Sequence, residues 1–198
     1  MQFWIDIDDT LCDTASVIMT RAIQFHSQVL KRKMPDAIRQ LNCSPDYFYF
    51  ARYLEWEEED IRFFFHSVYP DILRQVLPKK GACKWLEDQR KQSNYIVLIS
   101  ARRDKEFNGE ASKITKQWLN KYNIIVDDIV LDCLDKPSFL MDKRGIYIDD
   151  SYSDCMAVSS NPNVHVVQFV SIYSKQCEST NVAKIMNWDD LAIIQQNW

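Results

Sequence analysis

The sequence predicts an α/β fold: a doubly wound parallel sheet with a helical cap inserted after the first strand. Three observations predict it. A short apolar run, Phe3 to Ile7, comes first; residues 14 to 80 carry helical spacing and no convincing strand; from Gly81 onward short apolar runs alternate with helical patterns. Such alternation marks parallel strands covered on both faces.

The elements follow in chain order. Phe3 to Ile7 reads as a buried strand. Thr14 to Lys33 reads as one long helix, because Ile18, Met19, Ala22, Ile23, Phe25, Val29 and Leu30 recur at helical spacing and the stretch ends in Lys31-Arg32-Lys33 before Pro35. Ser44-Pro45-Asp46 marks another helix start, Glu57-Glu58-Glu59-Asp60 opens a further helix, and Pro78 closes it. Ala82 to Gln92 is helical, and Tyr95 to Ile99 is an apolar strand. Lys113 to Tyr122 is helical, Ile124 to Leu131 holds one or two short strand-like runs, and Pro137 to Asp142 is a short helix. Ile146 to Ile148 and Val164 to Val170 read as strands, and Trp188 to Gln195 as a closing helix. The expected division is a core of residues 1–12 and 81–198 and a cap of residues 13–80.

With 198 residues, 46% of them hydrophobic and 13% aromatic, the chain is long enough to bury a full core. The net charge of −4, from 24 basic and 28 acidic residues, gives no electrostatic footprint for a nucleic-acid duplex or an anionic membrane. Six scattered cysteines lack the close spacing of a zinc site or redox motif, so reduced thiols are expected. There is no basic-then-apolar leader and no run of membrane-span length, and a soluble, cytoplasmic protein is expected. Only three glycines are present, which excludes Gly-rich phosphate cradles and with them P-loop and dinucleotide folds.

In a doubly wound sheet, ligands sit beyond the carboxyl ends of the strands. The residues that follow each apolar run are therefore the candidates. After the first strand come Asp6, Asp8, Asp9 and Thr10; after Tyr95 to Ile99 come Ser100, Ala101, Arg102 and Arg103; Lys136 follows the Ile124 to Leu131 region; Asp149, Asp150 and then Asp154 follow Ile146 to Ile148. The two-residue strand period turns Asp6 and Asp8 the same way, and two such anions repel unless a cation sits between them. Carboxylates beside a lysine and a hydroxyl suit phosphoryl transfer, which needs a nucleophile, a hard cation held by oxygens, and fixed positive charge.

In order, Asp6-Ile7-Asp8-Asp9-Thr10-Leu11, Ser100, Lys136 and Asp149-Asp150-x-x-x-Asp154 resemble the four motifs of the haloacid dehalogenase superfamily. Within it, Ile99-Ser100-Ala101-Arg102-Arg103 and Ile148-Asp149-Asp150 are similar to small nucleotidase-type members, and Asn187-Trp188-Asp189-Asp190-Leu191 is similar to a closing helix of those relatives. The resemblance implies Asp6 as the nucleophile that forms an aspartyl-phosphate, and Asp8 as general acid and base with a main-chain carbonyl on the metal. It implies Thr10, Ser100, the Ala101 amide and Lys136 around the phosphoryl oxygens. Mg2+ is the implied cofactor, anchored by Asp6, Asp8 and Asp150 with Asp149 or Asp154. Lys143, Lys113 and Lys116 compete with Lys136 for its role, and Arg102 either contacts the substrate phosphate or pairs with a surface acid.

The implied function is magnesium-dependent hydrolysis of a small soluble phosphate ester, a nucleotide or deoxynucleotide first. The alternatives are a sugar-phosphate phosphatase, a phosphotransferase, or an inactive relative that only binds ligands. Aromatic residues crowd the cap, among them Tyr47, Phe48, Tyr49, Phe50, Tyr53, Trp56, Phe63, Phe64, Phe65 and Tyr69. Most are expected in the cap's own core and a few on the substrate. His26, His66 and His165 show no pattern that suggests catalysis, and His165 falls in an expected core strand.

Overall fold

The computed structural model describes residues 1–38, 50–104, 109–171 and 174–195. Among them six strands form one parallel sheet: β1 (Gln2–Ile5), β2 (Tyr95–Ile99), β3 (Asp128–Val130), β4 (Gly145–Asp149), β5 (Val164–Phe169) and β6 (Val182–Ile185). Their order, β3-β2-β1-β4-β5-β6, puts β1 between β2 and β4. The register pairs Phe3 with both Ile96 and Ile146, and Ile5 with both Leu98 and Ile148. Strands distant in sequence therefore end side by side.

The strand period sorts the side chains into two layers. Phe3, Ile5, Ile96, Leu98, Ile146 and Ile148 pack with Trp85, Trp118 and Trp188, which lie on α5 (Ala82–Lys91), α6 (Ala111–Lys121) and α9 (Trp188–Gln195). Trp4, Val97, Ile99 and Tyr147 pack on the opposite face with Leu140, Cys155 and Val158, which lie on or at the end of α7 (Lys136–Leu140) and on α8 (Tyr152–Val158). Gly145 fits its place at the start of β4 for a steric reason: it adopts φ +129°, and a Cβ there would sit 2.2 Å from the Gln2 carbonyl oxygen. No helix among the described residues is long and apolar enough to cross a membrane.

Between β1 and β2 the described residues form α1 (Thr14–Gln24), a π-helical turn (Phe25–Val29), α2 (Phe50–Tyr53), α3 (Glu58–Ser67) and α4 (Tyr69–Gln75). The helix expected over Thr14 to Lys33 is shorter than predicted. It widens to i→i+5 spacing at Phe25 and ends at Leu30, with Lys31 at φ +54°. The cause is His26, which is buried and bonded by one ring nitrogen to the Lys33 carbonyl (3.1 Å) and by the other to Trp56 Nε1 (3.0 Å). The chain folds back on itself to satisfy that ring. Pro78 is not what closes α3 either: the helix stops at Val68, Pro70 opens α4, and Pro78 lies beyond α4. The Ser44-Pro45-Asp46 helix start and Tyr47, Phe48 and Tyr49 lie outside the described residues. Phe50, Trp56, Phe64 and Tyr69 are buried in the module's core, whereas Phe63 is half exposed. His165 lies in β5 as expected, but on an exposed position rather than in the core.

Candidate active site

The carboxyl ends of β1, β2 and β4 converge on one group of side chains. Asp6 continues β1, its amide bonded to the Ile148 carbonyl (2.9 Å). It shares the strand parity of Trp4, and Asp149 shares that of Tyr147, so both carboxylates fall on the face where α7 begins with Lys136. The buried Lys136 Nζ lies 2.6 Å from Asp6 Oδ1 and 2.6 Å from Asp149 Oδ2. Tyr147 donates its hydroxyl to the same Asp149 oxygen, and the Ser151 amide donates to Asp149 Oδ1 (2.7 Å). Lysines 113, 116 and 143 have no place in this group; Lys113 and Lys143 pair with Glu110 and Asp142.

Asp6, Asp149 and Asp150 each bring a carboxylate oxygen to within 4.8 Å of the others. Three carboxylates face one lysine, and the excess charge shows. Burial raises the Asp6 carboxyl to about 8 despite Lys136, with Asp149 and Asp8 adding to the rise; burial and Asp149 push Asp150 well above the ordinary range. A hard divalent cation fits these residues, because all the donors are oxygens and the cluster lacks positive charge.

Asp8 and Asp154 stand apart from the cluster. Lys136 holds Asp6 and Asp149 but not Asp8, although the charge of Asp8 still raises the Asp6 carboxyl. The Asp8 carboxylate meets Arg102 instead. Nε donates to Oδ2 (2.7 Å), Nη2 donates to Oδ1 (2.7 Å), and Thr14 Oγ1 donates to Oδ1 (2.7 Å). Burial favours the neutral acid, but the charge and hydrogen bonds of Arg102, with the Thr14 hydroxyl, overcome it and hold Asp8 below the usual carboxylate range. Asp154 is half-buried in the first turn of α8, where Ser151 Oγ accepts its amide (3.3 Å).

The remaining expected residues line the rim or the support. Thr10 is buried, with Oγ1 3.5 Å from Asp150 Oδ1, and its carbonyl accepts Trp188 Nε1 (3.2 Å). Ser100 is buried and its hydroxyl accepts the Arg102 amide (3.3 Å), while Ala101 is exposed beside it. Asp9 adopts φ +59° and accepts the Ala15 amide (2.7 Å), which satisfies the start of α1; burial raises its carboxyl to about 7. The sequence pattern alone does not single out Thr14 or Tyr147. Tyr147 had a usable signal, two positions before Asp149 on one strand face. Thr14 had a fainter one, a hydroxyl at the first position of a helix beside the acidic turn.

In the helical module, Ile18, Phe50, Trp56, Ile61, Phe65 and Tyr69 line a cavity of about 580 Å³. Burial, with the charge of Asp8 adding to it, pushes the Tyr69 hydroxyl well above its ordinary range.

No family model and no curated protein matches this chain. Solved structures do. A protein described as a phosphatase, from Clostridium difficile, aligns with 98% of this chain and 97% of its own at 15% identity and a TM-score of 0.67. A protein described as a HAD-hydrolase, YfnB from Bacillus subtilis bound to magnesium, aligns with 98% of each chain at 11% identity and a TM-score of 0.62. CbbY from Rhodobacter sphaeroides, in complex with xylulose-(1,5)bisphosphate, aligns with 96% of this chain and 95% of its own at 12% identity and a TM-score of 0.61. At such identities the likeness is one of architecture: over nearly its whole length, this chain has the α/β fold of the haloacid dehalogenase-type proteins.

Proposed function

We propose that this chain is a magnesium-dependent phosphomonoesterase that works through an aspartyl-phosphate on Asp6. The observation that carries the reading is the cluster of Asp6, Asp149 and Asp150 with Lys136 bridging two of them at the carboxyl edge of the sheet. Asp6 is the nucleophile, and Lys136 keeps it oriented while offsetting its repulsion from a phosphate. Asp8, ionised in its contact with Arg102, takes the proton from water in the hydrolytic step, and the proton it then carries goes to the leaving oxygen of the next substrate. Ser100 and the Ala101 amide bind phosphoryl oxygens, with Thr10 beneath them. Asp6, Asp150 and the Asp8 carbonyl would hold Mg2+ with Asp149, and the ion would neutralise the carboxylates and polarise the phosphoryl group.

Residues 13–80 act in this reading as a cap over a core of residues 1–12 and 81–198. In support, the two crossings run side by side: the Asp13 amide bonds the Leu77 carbonyl (3.1 Å) and the Lys79 amide bonds the Leu11 carbonyl (2.9 Å). The rings of Phe50, Trp56, Phe65 and Tyr69 on the wall of the module's cavity support a leaving group with a planar ring, so a nucleotide ranks ahead of an open-chain sugar phosphate. A small phosphate ester in the cytoplasm is the substrate proposed.

The test is phosphate release from a panel of nucleoside monophosphates and sugar phosphates, with and without magnesium, for wild type and Asp6→Asn. Release should need magnesium, favour nucleotides, and fall at least about a thousandfold in Asp6→Asn. Magnesium-independent release or an active Asp6→Asn protein overturns the mechanism. Equal rates on both substrate classes overturn only the nucleotide assignment.

A further inference from the structure

Arg102 is a second buried cation in the site, and phosphate binding does not account for its placement. Nε and Nη2 hold both oxygens of Asp8 at 2.7 Å, and Nη1 donates to Thr115 Oγ1 on α6 at 3.1 Å. The Arg102 side chain is 2% exposed and that of Asp8 is 23% exposed. The pair therefore has an inside and an outside: the guanidinium is sealed beneath, and the carboxylate edge reaches the cleft. To touch a substrate phosphate, Arg102 would have to break two charge-assisted hydrogen bonds and abandon Thr115. Thr14, from the first turn of α1, closes on Asp8 Oδ1 from the other side at 2.7 Å. The carboxylate is thus gripped from the loop after β2 and from α1 at once.

We infer that Arg102 is a positioning residue that fixes the Asp8 carboxylate for proton transfer, and that it does not bind the substrate phosphate. The inference rests on the phosphatase reading above and assigns one step of it. In the first step an Asp6 oxygen bonds to phosphorus as the bond from phosphorus to the leaving oxygen breaks. In the second, a water oxygen bonds to phosphorus, Asp8 takes that water's proton, and the bond from phosphorus to Asp6 breaks, releasing inorganic phosphate and the free Asp6 carboxylate. A leaving group that departs as a stable anion needs no proton in the first step. With p-nitrophenyl phosphate, loss of Arg102 therefore spares formation of the aspartyl-phosphate and slows its hydrolysis.

The experiment is rapid-quench turnover of p-nitrophenyl phosphate with magnesium, followed by intact mass of the acid-quenched protein, for wild type, Arg102→Lys, Arg102→Ala and Thr115→Val. Expected for Arg102→Ala is a fall in kcat of about a hundredfold, a KM within about threefold of wild type, a burst of p-nitrophenolate, and a persistent adduct of one phosphoryl group. Arg102→Lys, which keeps the charge but not the paired contacts, should fall between. Thr115→Val keeps the Asp8 pair and removes only the outer anchor, so it tests the inference if Arg102→Ala does not fold; it should show a smaller fall with the same split and some adduct. A rise in KM larger than the fall in kcat, without adduct, assigns Arg102 to the substrate and overturns the inference. Unchanged kcat in the folded variants overturns it as well. A wild type that releases no p-nitrophenolate and forms no adduct defeats the phosphatase reading, and this inference with it.

Discussion

Tyr147 shows how a single residue can set the charge balance of the site. Its hydroxyl donates to the Asp149 oxygen that Lys136 also holds, inside the sheet and away from solvent. Tyr147→Phe keeps the ring packing and removes only that donor. A hydrogen bond to a buried carboxylate orients it, and loss of such an outer partner weakens metal binding by about ten- to a hundredfold. Calorimetric titration with Mg2+ should show a loss in that range, and an unchanged affinity would remove Tyr147 from the metal's support. The strand-end residues Asp6, Ser100, Asp149 and Asp150 were legible in the sequence, because each directly follows an apolar run. The partner of Asp8 was not. Arg102 lies 94 positions away, and only the register of β1 against β2 brings the two loops together.

At the scale of elements, periodicity found most helices but not α8, and it misjudged several ends. Tyr95–Ile99 has the predicted bounds and α5 differs by one residue, since apolar runs and caps decide both locally. The end of α1 is decided by His26 and Trp56, which local spacing does not reveal. The acidic start of α3 was legible, and its structure explains it. The Glu57 side chain accepts the amide of Asp60, and Asp60 accepts the Glu57 amide (3.0 Å) while also accepting Arg32 (2.6 and 3.1 Å). Those Arg32 hydrogen bonds hold the Asp60 carboxyl below its ordinary range. A depressed pKa means that the folded state binds fewer protons than the unfolded one, so Asp60 contributes stability above the ordinary carboxylate value and loses it as pH falls through its folded value. Arg32 is partly exposed, which limits the contribution; Asp60→Asn should cost about 1 kcal/mol near neutrality. Denaturant melts of both proteins from pH 7 down to pH 3 should show that gap narrowing. A gap that stays constant would mean that the carboxylate charge does no work there.

For the whole molecule, the sheet order carries the site, and it was only partly legible. The sequence announced the parallel strands β2, β4 and β5 by their apolar runs, but β6, Val182–Ile185, is only four residues long, is buried only at its two ends with Lys184 exposed between them, and carries no such run. What the sequence could not supply is the contact itself: Lys136 is buried and bonds both Asp6 and Asp149 beside Asp150, a charge imbalance built from β1, β4 and α7 together. That imbalance makes a prediction about stability that is separate from catalysis. A cation that binds the folded state alone stabilises it by RT ln(1 + [L]/Kd), about 2.7 kcal/mol at a hundredfold excess over Kd. In a chain of this size that raises Tm by roughly 5–10 °C. Asp150→Asn removes one of the crowded anions, so without magnesium this variant should melt above wild type. With saturating magnesium the order should reverse, because wild type gains the cation and the variant gains little. Thermal melts of the two proteins across a magnesium series check the crossing. Parallel responses in both would show that Asp150 is not part of a cation site, and equal melting without magnesium would show that the cluster is not under electrostatic stress.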